Sequence, residues 1–257
     1  MTNNFRWARF AASLVCMLLA ATAAFADKDK DEGKDKGKDR QRAILDLGPT
    51  AYWPLDENST DHVVRDRSHH DHDGFYEGAT AGAPGSGPGK RAALFGIPGI
   101  NLVGTNVAAT GNAPRSIIAW IKTTYVYPQA IVATGTPDIA QAFNVVMTFN
   151  GFCQSLGVMG FGDDFYPCGA FLADGAWHMV AATYDGAGAL SLYVDGNLDS
   201  QAFGFLFATT GQTNYIGRSN HVVDDTCCHR PFNGSIDDVA IFGRALTAAE
   251  IAALASL

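Results

Sequence analysis

The sequence predicts an all-β fold: a two-sheet antiparallel β-sandwich of jelly-roll type with one short C-terminal helix. Three observations carry this. Short apolar or aromatic runs such as "AYWPL", "GFYEG", "SIIAWIKTT", "FNVVMTF", "AWHMVAATY" and "IDDVAIFG" recur between Gly, Pro, Asn and Asp clusters, as strands between tight turns do. Almost no segment carries the helical period. From Ala43 to Leu257 the chain has the length of one sandwich, since such folds commonly run to roughly 200 to 250 residues as a single unit.

Ahead of that domain, Arg6 and Arg9 precede an apolar run from Phe10 to Ala21 and then Ala24-Phe25-Ala26. This is the pattern of a secretory signal over residues 1–26, so a secreted, extracytoplasmic protein is expected. No later segment reaches the roughly 18 consecutive apolar residues of a transmembrane helix, and no membrane span is expected. Residues 27–42, "DKDKDEGKDKGKDRQR", contain no apolar side chain. They cannot offset chain entropy by burial and read as a charged disordered linker.

Within residues 43–257, "GATAGAPGSGPGKRAALFG" at 78–96 reads as a long flexible loop entering a strand at about Ala92. The clearest strand points Leu190, Leu192 and Val194 one way and Ser191, Tyr193 and Asp195 the other. Asp195-Gly196 then marks a tight hairpin, with residues 198–203 as the return strand. "LTAAEIAAL" is the one credible helix: Thr247 caps it, Glu250 completes a capping box, and Ile251 and Leu254 supply an apolar stripe. It is expected over one end of the sandwich.

The region 43–257 carries nine Lys and Arg against twenty Asp and Glu, a net charge of −11 with His neutral. Such a surface repels phosphate backbones, which argues against a nucleic-acid partner. After signal cleavage Cys153, Cys168, Cys227 and Cys228 remain; in an exported chain they read as disulfides. Cys153 with Cys168 is favoured because both sit in neighbouring strand-like segments, while crossed pairing stays open.

The motif order "AYWPLDE", "VVRDRSHHDHDGFYEG", "ALFG", "SIIAWIKTT", "DGAWHMVAATYDGAGALSLYVDGNL", "NYIGRS" and "FNGSIDDVAIFGRALTAAEIAAL" resembles the laminin-G-like, concanavalin-A-like jelly-roll domain of secreted bacterial proteins. The likeness runs from about Ala51 to Leu257 and is weakest over 125–172. It implies two face-to-face antiparallel sheets, first and last strands near each other, and recognition of carbohydrate or protein ligands. It does not fix the ligand, because function lives in the site.

In the terminal strand, period-two alternation with Val239 and Ile241 inward sends Asp237 inward and Asp238 outward. A buried carboxylate needs hydrogen bonds or a cation. The resemblance implies a structural calcium site joining Asp237 to Asp66, with oxygen ligands of the kind calcium prefers. The alternative is an Asp237 satisfied by backbone N–H groups alone. His69, His70 and His72 offer transition-metal donors, but at a turn they are expected to project into water. Asp71 and Asp73 read as turn formers.

For ligand binding, loop aromatics stand out: Tyr125 and Tyr127, and Phe165 and Tyr166 beside Asp163 and Asp164. An aromatic platform next to planar polar groups suits a sugar; the competing reading makes these aromatics core residues. Catalysis is not expected. A glycosidase needs two carboxylates flanking the bond, roughly 5 to 5.5 Å apart for retention, and residues 43–257 hold three glutamates, Glu57, Glu77 and Glu250. His178 reads as structural. The sequence thus points to a non-catalytic binding module for glycan or an extracellular surface ligand. An extracellular structural or adhesion protein with a protein partner is the alternative, and a polysaccharide hydrolase comes third.

Overall fold

The computed structural model describes residues 39–96, 100–102, 107, 109–150, 153–211, 214–220 and 231–257. The signal segment, residues 27–38 of the linker, Cys227 and Cys228 lie outside the described residues.

In chain order come β1 (Ala51–Trp53), β2 (Val63–Val64), β3 (Gly74–Phe75), β4 (Thr80–Pro84), β5 (Arg91–Phe95), β6 (Ile100–Leu102) and β7 (Arg115–Lys122). Then follow β8 (Gln129–Ala133), β9 (Asn144–Asn150), β10 (Cys153–Met159), β11 (His178–Tyr184) and β12 (Leu190–Val194). β13 (Asn197–Ala202), β14 (Asn214–Ile216) and β15 (Gly234–Phe242) complete the strands. Helix α1 spans 39–46 and α2 Ala248–Ala255.

The strands form two antiparallel sheets. Sheet A runs β13-β12-β11-β7-β15-β5-β4, with β1 also paired to β15; sheet B runs β10-β9-β8-β14-β6-β3-β2. Between them lies the main core, with Trp53, Ile117, Ile121, Ile131, Val145, Leu156, Val180, Leu192, Ile216 and Ile241 all nearly or fully buried. First and last strands are neighbours, as the resemblance implies: Ala51 pairs with Ile241 and Trp53 with Val239.

The hairpin appears where alternation placed it. Leu190, Leu192 and Val194 face the main core, Tyr193 faces the other side, and β12 pairs with β13. Asp195 and Gly196 both take positive φ, 49° and 81°, the backbone that a two-residue turn of this hand requires. α2 carries the expected capping box, Thr247 accepting from Glu250 N. Its Ile251 and Leu254 pack against the outer face of sheet A, with Trp120, Tyr193 and Phe242 in the same cluster, rather than over a sandwich end.

Two further expectations need correction. The 78–96 loop contains a strand, β4, pairing with β5. The linker is not wholly unstructured, because its last residues, 39–42, begin α1. Arg40, Ile44 and Leu47 recur at helical spacing toward the outer face of sheet A, where Ile44 is fully buried; that burial contributes about 2 kcal/mol. The Arg40 guanidinium lies 4.3 Å from the Trp120 ring centre. Charge composition hid this helix, since its stabilising partners lie far away in sequence. Gly48, at φ 68°, ends it, as a left-handed residue after a helix does.

Candidate functional site

Between β2 and β3 the chain wraps around Asp66. Its Oδ1 accepts from Tyr52 N at 2.9 Å and Ser68 N at 2.8 Å. Its Oδ2 accepts from the Ser68 hydroxyl at 2.8 Å and His72 N at 3.0 Å. Burial pushes the Asp66 pKa up, but these donors outweigh it and hold the carboxyl below the usual range. Asp73 adds a second layer, accepting from Asp66 N at 2.8 Å and from Arg65 Nη1 at 2.7 Å. His69 and Asp71 sit at positive φ, 70° and 57°, so Asp71 is a turn former, as expected. His69 and His70 are exposed and His72 half-buried.

Beside this loop opens a cleft of about 360 Å³ lined by Asp56, Glu57, Asn58, Asp61, His62, Val63, Arg65 and Arg67. Its floor is fixed: buried Glu57 accepts from Arg65 N at 2.9 Å and Tyr76 Oη at 2.7 Å. Among the described residues the Arg67 guanidinium, the His62 imidazole and the Asn58 carboxamide keep their polar heads free of protein partners. Phe75, 50% exposed, pairs across β2–β3 with the cleft residue Val63. Paired residues share a sheet face, so an open aromatic flanks a concave set of planar donors and acceptors. Sequence reasoning singled out none of Asn58, His62, Arg67 or Phe75. No signal in the sequence marks them, because the cleft takes shape only when β2 pairs with β3.

Asp237 does not follow simple alternation. Its register with β7 shifts between Asp237, opposite Trp120, and Ala240, opposite Ile118. Asp238 takes φ 48°. This bulge adds one residue to β15 and re-aims its side chains: Ile236, Val239 and Ile241 still reach the main core, while Asp237 and Asp238 both turn to the outer face. Both are fully buried. Asp237 Oδ2 accepts from Ser86 N at 2.9 Å and Ser86 Oγ at 2.6 Å, while Oδ1 has no partner. Asp238 is held by Tyr52 Oη at 2.5 Å, Arg40 Nη1 at 3.2 Å and Lys90 Nζ. Burial, then repulsion from Asp238, pushes Asp237 up to about 7 against the opposing pull of Lys90 and Ser86. Asp66 and Asp237 are thus held by different protein donors, not by a common set. Among the described residues no group of three or more His, Cys, Asp or Glu gathers as a metal site.

The aromatic set predicted for ligand binding is split. Tyr125 and Tyr127 are 39% and 60% exposed with ring centres 5.3 Å apart, in the loop leading to β8, where Gln129 Nε2 donates to Tyr125 O. Asp163, Asp164, Phe165 and Tyr166 follow β10 and run back along it, Phe165 bridging to Val158. There Asp163 accepts from Leu206 N at 3.0 Å and Asp164 from Gly160 N at 2.8 Å. Phe165 packs on Phe205 and the main core, and Tyr166 on Ala130, Val146 and Met159. The core reading fits these two rings; the open reading fits Tyr125 and Tyr127. The Cys153–Cys168 disulfide forms as favoured. His178 is bracketed by Asp195 Oδ2 at 2.8 Å and Asp174 Oδ1 at 3.1 Å. Burial lowers its pKa, but the two carboxylates outweigh that and raise it above the ordinary imidazole value.

Comparison with known proteins accords with this geometry. The family model described as concanavalin A-like lectin/glucanases superfamily, of laminin G type, matches residues 99–252. No curated protein matches by sequence. Domain 4 of AbnA, a GH43 extracellular arabinanase from Geobacillus stearothermophilus solved with arabinotriose, is similar at TM-score 0.56 and 21% identity, over 80% of this chain and 98% of that one. The binding domain of Paraclostridial Mosquitocidal Protein 1 is similar at TM-score 0.60 and 12% identity, over 82% of this chain and 52% of that one. Trypanosoma rangeli sialidase solved with sialic acid is similar at TM-score 0.57 and 14% identity, over 81% of this chain and 33% of that one. At these identities the likeness is one of fold, and the chain spans about half of the toxin fragment and a third of the sialidase.

Proposed function

Because the chain belongs to the concanavalin A-like lectin/glucanases superfamily, we propose that it is a secreted, non-catalytic carbohydrate-binding module whose ligand sits in the Asp56–Arg67 cleft. The observation that carries this is the free Arg67, His62 and Asn58 heads beside exposed Phe75. Planar side chains can each bond two neighbouring sugar hydroxyls, and an aromatic face covers the apolar side of the ring. The disulfide and the signal-like N-terminus support an extracellular setting, and among the described residues no helix is long and apolar enough to cross a membrane.

Arabino-oligosaccharides, sialosides and common wall polysaccharides are suitable probes, titrated by calorimetry. Arg67→Ala and Phe75→Ala are each expected to weaken binding at least tenfold, about 1.4 kcal/mol, with Tyr127→Ala unchanged. A loss in Tyr127→Ala alone moves the site to the Tyr125–Tyr127 pair, the second reading, which its exposure favours. Silence on every glycan, with capture of an envelope protein, favours an adhesion role. Release of reducing sugar, abolished by one acidic substitution, overturns the non-catalytic reading.

A further inference from the structure

The buried cluster under α1 has no part in the cleft, and its groups are those of a condensation reaction. Lys90, on the turn between β4 and β5, lays its Nζ against Asp238 Oδ2 and 3.9 Å from Asp237 Oδ2, with its side chain 8% exposed and both carboxylates fully buried. Tyr52 Oη donates to Asp238 Oδ1 at 2.5 Å, and Arg40 Nη1 to Oδ2 at 3.2 Å. An amine, a carboxyl carbon and a second acid therefore meet in a buried site beside Tyr52 and Trp120. A buried ion pair carries a large desolvation penalty, which joining the two groups in a neutral amide would remove.

We propose that Lys90 Nζ and Asp238 Cγ become joined by an intramolecular amide bond, with Asp237 as the proton-transfer group. The Lys90 ammonium passes one proton to the Asp238 carboxylate, leaving a neutral amine and a neutral carboxyl. The amine attacks Cγ, forming the N–C bond, while Tyr52 Oη steadies the oxygen at Oδ1. Asp237 takes a proton from the attacking nitrogen and delivers one to the Oδ2 oxygen. The Cγ–Oδ2 bond then breaks, one water leaves, and Asp237 ends in its starting state. Nothing is oxidised or reduced, and two buried charges disappear. Asp237 suits this role because burial and its neighbour hold its carboxyl near neutrality, where it both gives and accepts a proton.

Peptide mapping of the purified, folded full chain, after reduction and denaturation, decides this. The expected result is a Lys90 peptide covalently linked to an Asp238 peptide, lighter than their sum by one water. Trypsin fails to cut after Lys90, and Lys90 resists acylation in denaturant. Separate linear peptides with a free Lys90 amine, persisting after prolonged incubation of the folded protein, overturn the bond whatever any variant does. Lys90→Arg removes the linked species. Asp237→Asn is expected to leave the peptides unlinked with the fold intact by circular dichroism; a linked peptide in folded Asp237→Asn overturns the role given to Asp237.

Discussion

Asp66 and Asp237 are both carboxylates drawn in from the surface, yet their surroundings push them opposite ways. Asp66 is about half buried and collects four hydrogen bonds from three residues, two to each oxygen, so its anion is favoured. Asp237 is fully buried, has one serine as its hydrogen-bond donor and leaves Oδ1 bare, so its acid form is favoured. Burial and the Asp238 charge raise Asp237 further than its few donors can lower it, while the donors of Asp66 outweigh its burial. The first aspartate organises a loop; the second is suited to proton transfer.

The largest test of this contrast removes the well-served carboxylate. Asp66→Ala leaves the N–H groups of Tyr52, Ser68 and His72 without an acceptor and is expected to cost about 3 kcal/mol in urea unfolding; a loss under about 1 kcal/mol would mean water replaces the carboxylate and Asp66 organises nothing. Next comes pH dependence, best read in Lys90→Arg so that no amide intervenes. Asp66, with its folded pKa depressed, adds stability that is present above about pH 4 and is lost as pH falls through the folded value. Asp237, raised to about 7, holds a proton that the unfolded chain has released. Its contribution therefore declines as pH rises from about 4 to about 7, by at most about 1.4 kcal/mol per pH unit. Denaturation midpoints from about pH 2 to about pH 7 should lose the acid arm in Asp66→Asn and the declining arm in Asp237→Asn; identical profiles would erase the contrast.

Smaller still, at about pH 5, below the raised Asp237 value, Asp237→Asn in the Lys90→Arg background should change stability by no more than about 1 kcal/mol, because Asn keeps an acceptor for Ser86 and no charge is lost from a site that holds the neutral acid there. The smallest expected effect is that of calcium. Excess chelator should leave Tm unchanged, since both Asp66 oxygens and Asp237 Oδ2 are held by protein donors. A calcium-dependent rise in Tm would instead put a cation at the bare Asp237 Oδ1 and draw the two sites together.

What the sequence disclosed follows the range of the interactions involved. The Asp195-Gly196 hairpin and the Thr247–Glu250 box were legible because their partners lie within a few residues. Alternation failed at Asp237 because the extra residue of a bulge is defined only against β7, over a hundred residues away. Helix α1 was hidden for the same reason, its stripe being covered by Trp120, Tyr52 and Phe242. The cleft was missed because Arg67 and Phe75 converge only once β2 and β3 pair. The three histidines were conspicuous in the sequence, yet the loop is built by the aspartates around them.

The position of β15 also constrains the order of assembly. Residues 234–242 lie between β7 and β5 and hydrogen-bond β1 as well, so sheet A stays in separate pieces until the end of the chain arrives. Before then β5 and β7 present unpaired edges, the kind that attract other strands, and the closing contacts span nearly the whole domain, which slows folding. A chain cut before Gly234 would be left without the strand that joins the two halves of sheet A.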